Sequence, residues 1–229
     1  MYQFMQDVNR KHNLQLKVNP PSPCLFTQPS TNHKSQTFSD LHAFSLAHRS
    51  AFWAQVFDAA HLIHEGAYST VVDESLPIDA VPRWFEGVRL NFAENALFSP
   101  ASLSSDKTDT AARGVANKED GKVAITEVRE GGSEVRDVTY GELRAMVGRL
   151  AKAMKARGVK RGDRVVIVGA NSVETVTVLL ASAWVGAVFS SSSTDMGVKG
   201  ILQRAVQVNP KVRIQVPEEG DGEVLTLGV

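Results

Sequence analysis

Gly158-Val159-Lys160-Arg161-Gly162-Asp163-Arg164-Val165-Val166-Ile167-Val168 is the stretch that decides the fold. A glycine-bounded turn feeds a run that is apolar on both faces from Val165 onward, the pattern of a strand buried in the middle of a parallel sheet. Toward the carboxyl end, Asn171-Ser172-Val173-Glu174 predicts the cap of a helix running to about Trp184. Gly186 punctuates it, and Ala187-Val188-Phe189 predicts a short strand. After a serine loop, Val198, Ile201, Leu202 and Ala205 predict a further helix closed by Asn209-Pro210, and Val212, Ile214 and Val216 alternate as a last strand. Toward the amino end, Gly158 closes a helix whose apolar residues Leu143, Val147, Leu150 and Met154 fall on one stripe. Thr139-Tyr140-Gly141-Glu142 in front of it has the spacing of a capping box. Before that, the β-rich runs 123–129 and 135–138 flank Gly131-Gly132 as a hairpin. Strand, helix, strand, helix, strand with short connections makes residues 122–216 an α/β unit of right-handed βαβ crossovers around a parallel sheet.

The first half reads differently. Phe4, Met5 and Val8 predict a short amphipathic helix within residues 1–17. Residues 18–36 hold Pro20, Pro21, Pro23 and Pro29 among small polar residues, which by composition is a disordered insert. From Ser39, Leu41 and Phe44 and then Phe52, Trp53, Val56, Phe57 and Ala60 predict two helices packed by aromatic residues, with Ser50 as N-cap of the second. Residues 71–97 are mixed, broken by Pro77 and Pro82, with a helical signal at Glu94–Leu97. The organisation is therefore a helical region over 1–98, a polar surface connection over 99–121 and an α/β part from 122.

Composition excludes several classes. Lys plus Arg and Asp plus Glu balance at 25 each, so no net field draws nucleic acid or an anionic membrane. The apolar run 176–189, broken by Thr177, Ser182 and Gly186, is too short to span a bilayer, and the first residues lack the basic flank of a secretory signal. One cysteine, Cys24, forms no internal disulfide, which fits a cytoplasmic setting.

Ligands of open α/β sheets sit at the carboxyl ends of the strands. Two segments qualify: Gly169-Ala170-Asn171, and Ser190-Ser191-Ser192-Ser193-Thr194-Asp195. The second offers hydroxyls, backbone amides and a helix start, suited to a phosphate or a carbonyl oxygen. Its other reading is a capped connection with the serines in water, which is the commoner use of such residues. Neither the dinucleotide-binding glycine pattern nor a P-loop occurs. His61 and His64 share a helical spacing but lack a third metal ligand, so a surface or capping role is expected, and no metal site is assigned. Trp84, with Arg83 and Arg89, reads as a loop anchor ahead of a cation–π nucleotide site. Cys24 has only His33 near it, in the same insert, and Glu218, Glu219, Asp221 and Glu223 read as a solvated acidic tail.

The stretch 71–95, with its core Arg83-Trp84-Phe85-Glu86-Gly87-Val88-Arg89-Leu90-Asn91-Phe92-Ala93-Glu94-Asn95, closely resembles the opening segment of acetoacetyl-CoA synthetases, members of the adenylate-forming superfamily. Residues 52–58 and 61–64 upstream, and 158–165 through 184–191 downstream, are similar to the same family. The resemblance covers roughly residues 1–17 and 37–211. It implies a two-step ligase of ketone-body and lipid metabolism: ATP and acetoacetate form an acyl-adenylate, and the CoA thiol then displaces AMP. The family's phosphate loop, adenine-gripping motif, ribose-binding Asp and catalytic lysine have no counterpart in these 229 residues. ATP, Mg and CoA are thus expected for the full-length family and none of them is assigned to this chain; no catalytic residue is carried over. Only Ser190, Ser191, Ser192, Ser193 and Thr194 correspond to a place near CoA in relatives, with Lys199 and Arg204 as supports for its phosphates. Small-molecule substrates are the expected partners.

The chain departs from the family at Thr194-Asp195-Met196-Gly197, where Pro-Asp-Phe-Gly is expected, across the insert 18–36, and after Lys211, so that 212–229 is a divergent tail. The last two departures are expected to be retained or mis-assigned intron sequence, which transcript sequencing across both junctions checks. The resulting expectation is an amino-terminal fragment of an acetoacetate–CoA ligase, inactive alone. Its rivals are a non-catalytic module that binds CoA or a protein, and a fragment too incomplete to fold, with an open sheet edge.

Overall fold

A computed structural model describes residues 2–13, 36–100, 115–132 and 134–215. They belong to two compact units, one running up to Arg89 and the other starting at Leu90. The architecture is mixed α/β, with helices first and small sheets after.

The first unit contains α1 (Tyr2–His12), α2 (Gln36–Ala47) and α3 (Arg49–Ala60). Met5 and Val8 of α1 and Leu41 and Phe44 of α2 are buried, as the apolar spacing predicts. Ser50 does not cap α3. His48 occupies the N-cap position without a side-chain bond, and the Glu74 carboxylate instead accepts from the Ser50 backbone N–H at 2.6 Å. A carboxylate at a helix start meets both free amides and the positive end of the dipole. Aromatic rings supply the packing around it. Phe57 stacks on Phe85 with centroids 4.7 Å apart, and Tyr68 meets both rings edge-on. Trp53 and Trp84 meet edge to face at 5.8 Å. The segments carrying these rings cross through single backbone bridges, Glu65 with Arg89 and Val72 with Trp84. Gly66 and Gly87 face each other there, both at positive φ, and a Cβ on either would collide with the opposite chain's carbonyl. This close approach admits only glycine.

The second unit opens with α4 (Phe92–Leu97) and β1 (Phe98–Pro100), paired antiparallel with β2 (Val115–Asn117). β3 (Val123–Val128) and β4 (Val135–Thr139) form the expected hairpin. α5 (Tyr140–Ala156) starts on the predicted capping box, with both Thr139 and Glu142 bonds present. Its end is equally specific: Gly158 sits at φ 77°, its N–H reaches the Lys155 carbonyl, and the Val159 N–H reaches the Met154 carbonyl. That is the double bond of a Schellman ending, which favours glycine at the left-handed position.

β5 (Arg164–Val168), α6 (Val173–Trp184), β6 (Val188–Ser192), α7 (Gly197–Val208) and β7 (Val212–Gln215) complete the chain. The sheet order is β6-β5-β7, all parallel. Val165, Val166 and Ile167 are buried, as a central strand requires. Val212 and Ile214 are buried as well, so their alternation belongs to a paired strand. Ser190, Ser191 and Ser192, expected in a loop, are the second half of β6, in register with Val166, Ile167 and Val168. Serine has no strand propensity of its own; the pairing partner overrides it.

One core serves this unit: Leu97, Val138, Val147, Met154, Val165, Ile167, Val178 and Ile214 are among its buried members. Arg144 crosses beside it, donating to the carbonyls of Leu97 and Lys118 at 3.0 and 2.9 Å and pairing with Asp120. Asn91 joins two helices. Its side-chain oxygen accepts from the Glu94 N–H at the start of α4, and its amide donates to Ala183 and Trp184 carbonyls at the end of α6. Asn95 and Lys118 bond further carbonyls of the same turn. Asn91 and Asn95, with the fully buried Ala93 between them, therefore make this run a structural joint.

Candidate crevice at the carboxyl end of the parallel sheet

β5 leads through α6 to β6 on one side, and β6 leads through α7 back past β5 to β7. Right-handed connections in opposite directions place the two helices on opposite faces of the sheet. The loops leaving β5 and β6 then diverge, and the crevice between them is where such sheets receive ligands. Its walls are residues 169–172 and 193–196.

The first wall is held rigidly. Gly169 N–H donates to the Ser192 carbonyl at 3.2 Å, extending the ladder past Val168. Ser172 is the N-cap of α6, and the Thr175 hydroxyl returns to the Ala170 carbonyl at 2.7 Å. The hairpin adds two clamps. Glu127, almost fully buried, accepts from the Val173 N–H at 3.1 Å, and Arg136 pairs with Glu174 at 3.1 Å. Burial pushes the Glu174 carboxyl up, but bonds from its own backbone N–H, Ser172 and Arg136 outweigh that and hold it below its ordinary value. Ala170 and Asn171 are left exposed at the rim.

The second wall carries the predicted serines. Strand alternation separates them: Ser192 is buried, Ser190 half-buried, and Ser191 exposed. Only Ser193 and Thr194 lie beyond the strand, both exposed, leading into a single turn over Thr194–Met196. Gly197 follows at φ 71° with open space around it, and α7 begins there without a side-chain cap. Lys199 is exposed in its first turn. Arg204 donates to the Ser191 carbonyl at 3.0 Å, so its guanidinium braces the strand. Exposed hydroxyls, uncapped amides and Lys199 are groups suited to an anionic or carbonyl-bearing ligand.

The other candidates resolve in place. His61 ends α3 in the left-handed region, so it shares no helix face with His64, which contacts the Gly66 carbonyl and the Phe57 ring. Among the described residues no group of three or more His, Cys, Asp or Glu side chains is placed to hold a metal ion. Trp84 packs on Trp53 and Phe85, with Arg83 paired to Glu86, so it anchors its loop. A depression near Asp73, Glu74 and Arg83 has those groups engaged within the unit, Asp73 with Ser75 and Glu74 with Ser50. Cys24, His33 and the acidic residues Glu218, Glu219, Asp221 and Glu223 lie outside the described residues. Glu127 escaped the sequence reading, because nothing local signals a carboxylate that caps a helix 46 positions later. Among the described residues no helix is long and apolar enough to cross a membrane.

Comparison with known proteins places these features in context. The profile of the AMP-binding enzyme family matches residues 112–226, and that of the acetyl-coenzyme A synthetase N-terminus matches residues 38–96. An acetoacetyl-CoA synthetase from Macaca fascicularis is 40% identical over 181 residues, 79% of this chain and 24% of that protein. A malonamoyl-CoA synthetase from Penicillium aethiopicum is 34% identical over 215 residues, 93% of this chain and 25% of that protein. The chain thus spans about a quarter of the length of the curated relatives it matches. The solved acetoacetyl-CoA synthetase from Streptomyces lividans superposes with a TM-score of 0.67 at 27% identity, covering 94% of this chain and 28% of that one.

Proposed function

Because the chain belongs to the AMP-binding enzyme family, we propose that it is the amino-terminal part of an acetoacetate–CoA ligase. The reading rests on 36–40% identity to acetoacetyl-CoA synthetases from several vertebrates over about four fifths of the chain. The whole enzyme would attach AMP to acetoacetate with loss of pyrophosphate and then pass the acyl group to the CoA thiol. A carboxylate resists attack by a thiol until such a leaving group is in place. ATP with Mg would supply the adenylyl group in the first half of that chemistry, and in the second the CoA thiol would take the acyl group as AMP leaves. The compartment is the cytoplasm.

This chain's own contribution is a scaffold and one wall of a binding crevice. Asn91 and Arg144 tie the segment before the sheet to the sheet's own helices. Glu127 and Arg136 fix the loop after β5. Ser193, Thr194 and Lys199 stand at the mouth for CoA, while Ser190, Ser191 and Ser192 shape the strand that presents them. With no triphosphate loop in the sequence, the isolated chain supports no adenylation.

Malonamate is the second substrate reading, favoured by the longer match to the malonamoyl-CoA synthetase. Both acids carry a carbonyl β to the carboxylate, so a pocket for one nearly fits the other in shape. A non-catalytic CoA-binding module is the third. Pyrophosphate exchange into ATP with acetoacetate or malonamate should be absent for the purified chain, and clear exchange overturns the reading. Saturable CoA binding by calorimetry, without turnover, is expected of both the ligase fragment and the binding module, and its absence overturns the CoA site at Ser193, Thr194 and Lys199.

A further inference from the structure

From Leu143 to Gly162 the chain carries seven Lys and Arg residues and no Asp or Glu. Arg144 is engaged at the β1–β2 neck. The other six, Arg149, Lys152, Lys155, Arg157, Lys160 and Arg161, are all exposed. Among the described residues none of these six head groups has a hydrogen bond or an ion pair. Arg149, Lys152 and Lys155 advance along α5 in steps of three, covering an arc of roughly 120° at about 100° per residue. The buried Leu143, Val147 and Met154 lie on the opposite side. The cations therefore form a solvent-facing stripe that runs on into the turn before β5.

The fold itself accounts for only part of this stripe. A helix end favours cations in its last turn, which covers Lys155 and Arg157 at the end of α5. Arg149 and Lys152 lie before that turn, and Lys160 and Arg161 lie past the helix. Inside α5 the pattern is unfavourable. Lys152 has a like charge three positions away on both sides, and no acid stands three or four positions off to offset it. A row that weakens its own helix and makes none of the fold's contacts has its use outside the fold.

Three kinds of anionic surface carry the matching charge. A bilayer is disfavoured, because no large apolar side chain is exposed between Val135 and Val188 to enter it. Nucleic acid is disfavoured too. Residues 141–163 hold no aromatic ring to stack on a base, and the balanced chain has no net field to gather a polyphosphate. An acidic polypeptide segment needs neither. The three head groups on α5 span only about 9 Å along the helix, the scale of a few carboxylates on a peptide. Arg149, Arg157 and Arg161 add planar forks that match a carboxylate.

We propose that the basic face from Arg149 to Arg161 is a docking surface for an acidic segment of a partner protein, a run of Asp and Glu side chains. It involves neither the crevice nor the ligase reading, so each stands if the other falls.

The probe is a fluorescein-labelled polyglutamate peptide, read by anisotropy against the 229-residue chain at low ionic strength, where exposed charges are least screened. Two variants remove three charges each. One carries Arg149→Gln, Lys152→Gln and Lys155→Gln on the stripe. The other carries Lys122→Gln, Lys211→Gln and Arg213→Gln, exposed cations elsewhere on the same unit. The parent should bind saturably, the stripe variant at least about tenfold more weakly, and the control like the parent. The stripe variant should also melt a few degrees above the parent, because its like-charge pairs are gone; a lower melting point removes the cost from which the proposal starts. No binding by the parent overturns the proposal, and so does equal weakening in the control, which reports net charge alone. Tighter binding of an oligothymidylate of matched charge, or of vesicles containing phosphatidylserine, gives the face to nucleic acid or membrane and overturns it. Peptide binding that appears only with Glu218→Gln, Glu219→Gln, Asp221→Asn and Glu223→Gln gives the face to this chain's own acidic residues and overturns it as well.

Discussion

Each of the two units of this chain has its own packing chemistry. Up to Arg89, rings do the packing: Phe57, Tyr68 and Phe85 form one cluster and Trp53 and Trp84 another. They clasp irregular segments that share only isolated bridges. From Leu90, aliphatic side chains fill a layered core between a parallel sheet and helices α4 to α6. Rings suit irregular backbone because each brings a large area and a preferred edge-to-face geometry without needing a periodic neighbour. Branched aliphatics suit regular elements, whose repeating spacing lets small side chains interlock.

Substitutions that strike one kind of packing sharpen this contrast. The largest effect belongs to Ile167→Ala at the centre of β5, a fully buried position. It should cost about 3–5 kcal/mol, read by urea denaturation with hydrogen exchange resolving the two units. Protection should collapse in 164–214 and persist in 49–60. Phe57→Ala should cost about 2–3 kcal/mol, less than a fully buried ring because Phe57 is only half-buried, and its exchange effect should fall on 49–89 instead. Simultaneous loss in both units from either substitution would erase the distinction.

A smaller effect is expected at the capping box. Thr139→Ala should cost about 1 kcal/mol in the transition of the second unit. Its partner adds a pH signature. The bonds from the Thr139 N–H and hydroxyl hold the Glu142 carboxyl below its ordinary value of 4.5. A carboxyl lowered on folding stabilises the fold above its ordinary value, and that contribution fades as pH falls through the lower folded value. Glu142→Gln should therefore melt below the parent near neutral pH, with the gap closing in acid. A gap that stays constant across the acid range rejects the assignment.

What the sequence disclosed follows the range of the interaction behind each feature. The Thr139–Glu142 box, the α5 stripe and the Gly158 ending were legible because donor, acceptor and period all lie within a few residues. The central position of β5 was legible because two-faced burial leaves an unmistakable apolar run. The caps supplied from afar were not. Glu74 reaches Ser50 across 24 positions and Glu127 reaches Val173 across 46, and neither leaves a local trace. The serines of β6 misled for the opposite reason: a polar run has loop character until a neighbouring strand claims it. For the crevice, sequence marked two segments by their residue types, while the adjacency of the strands they leave and the engagement of Arg204 with the Ser191 carbonyl came only from the structure.

The pairing of β1 with β2 has a further consequence. Pro100 lies opposite Val115, and Arg144 grips the carbonyls of Leu97 and Lys118 on either side. Whatever chain joins those two ends closes a circuit already fastened at its neck. Doubling the span between two ends fastened in this way costs only about 0.6 kcal/mol in closure entropy, so the β1–β2 neck sets the geometry of the scaffold and the distance along the chain between its ends hardly weighs on it.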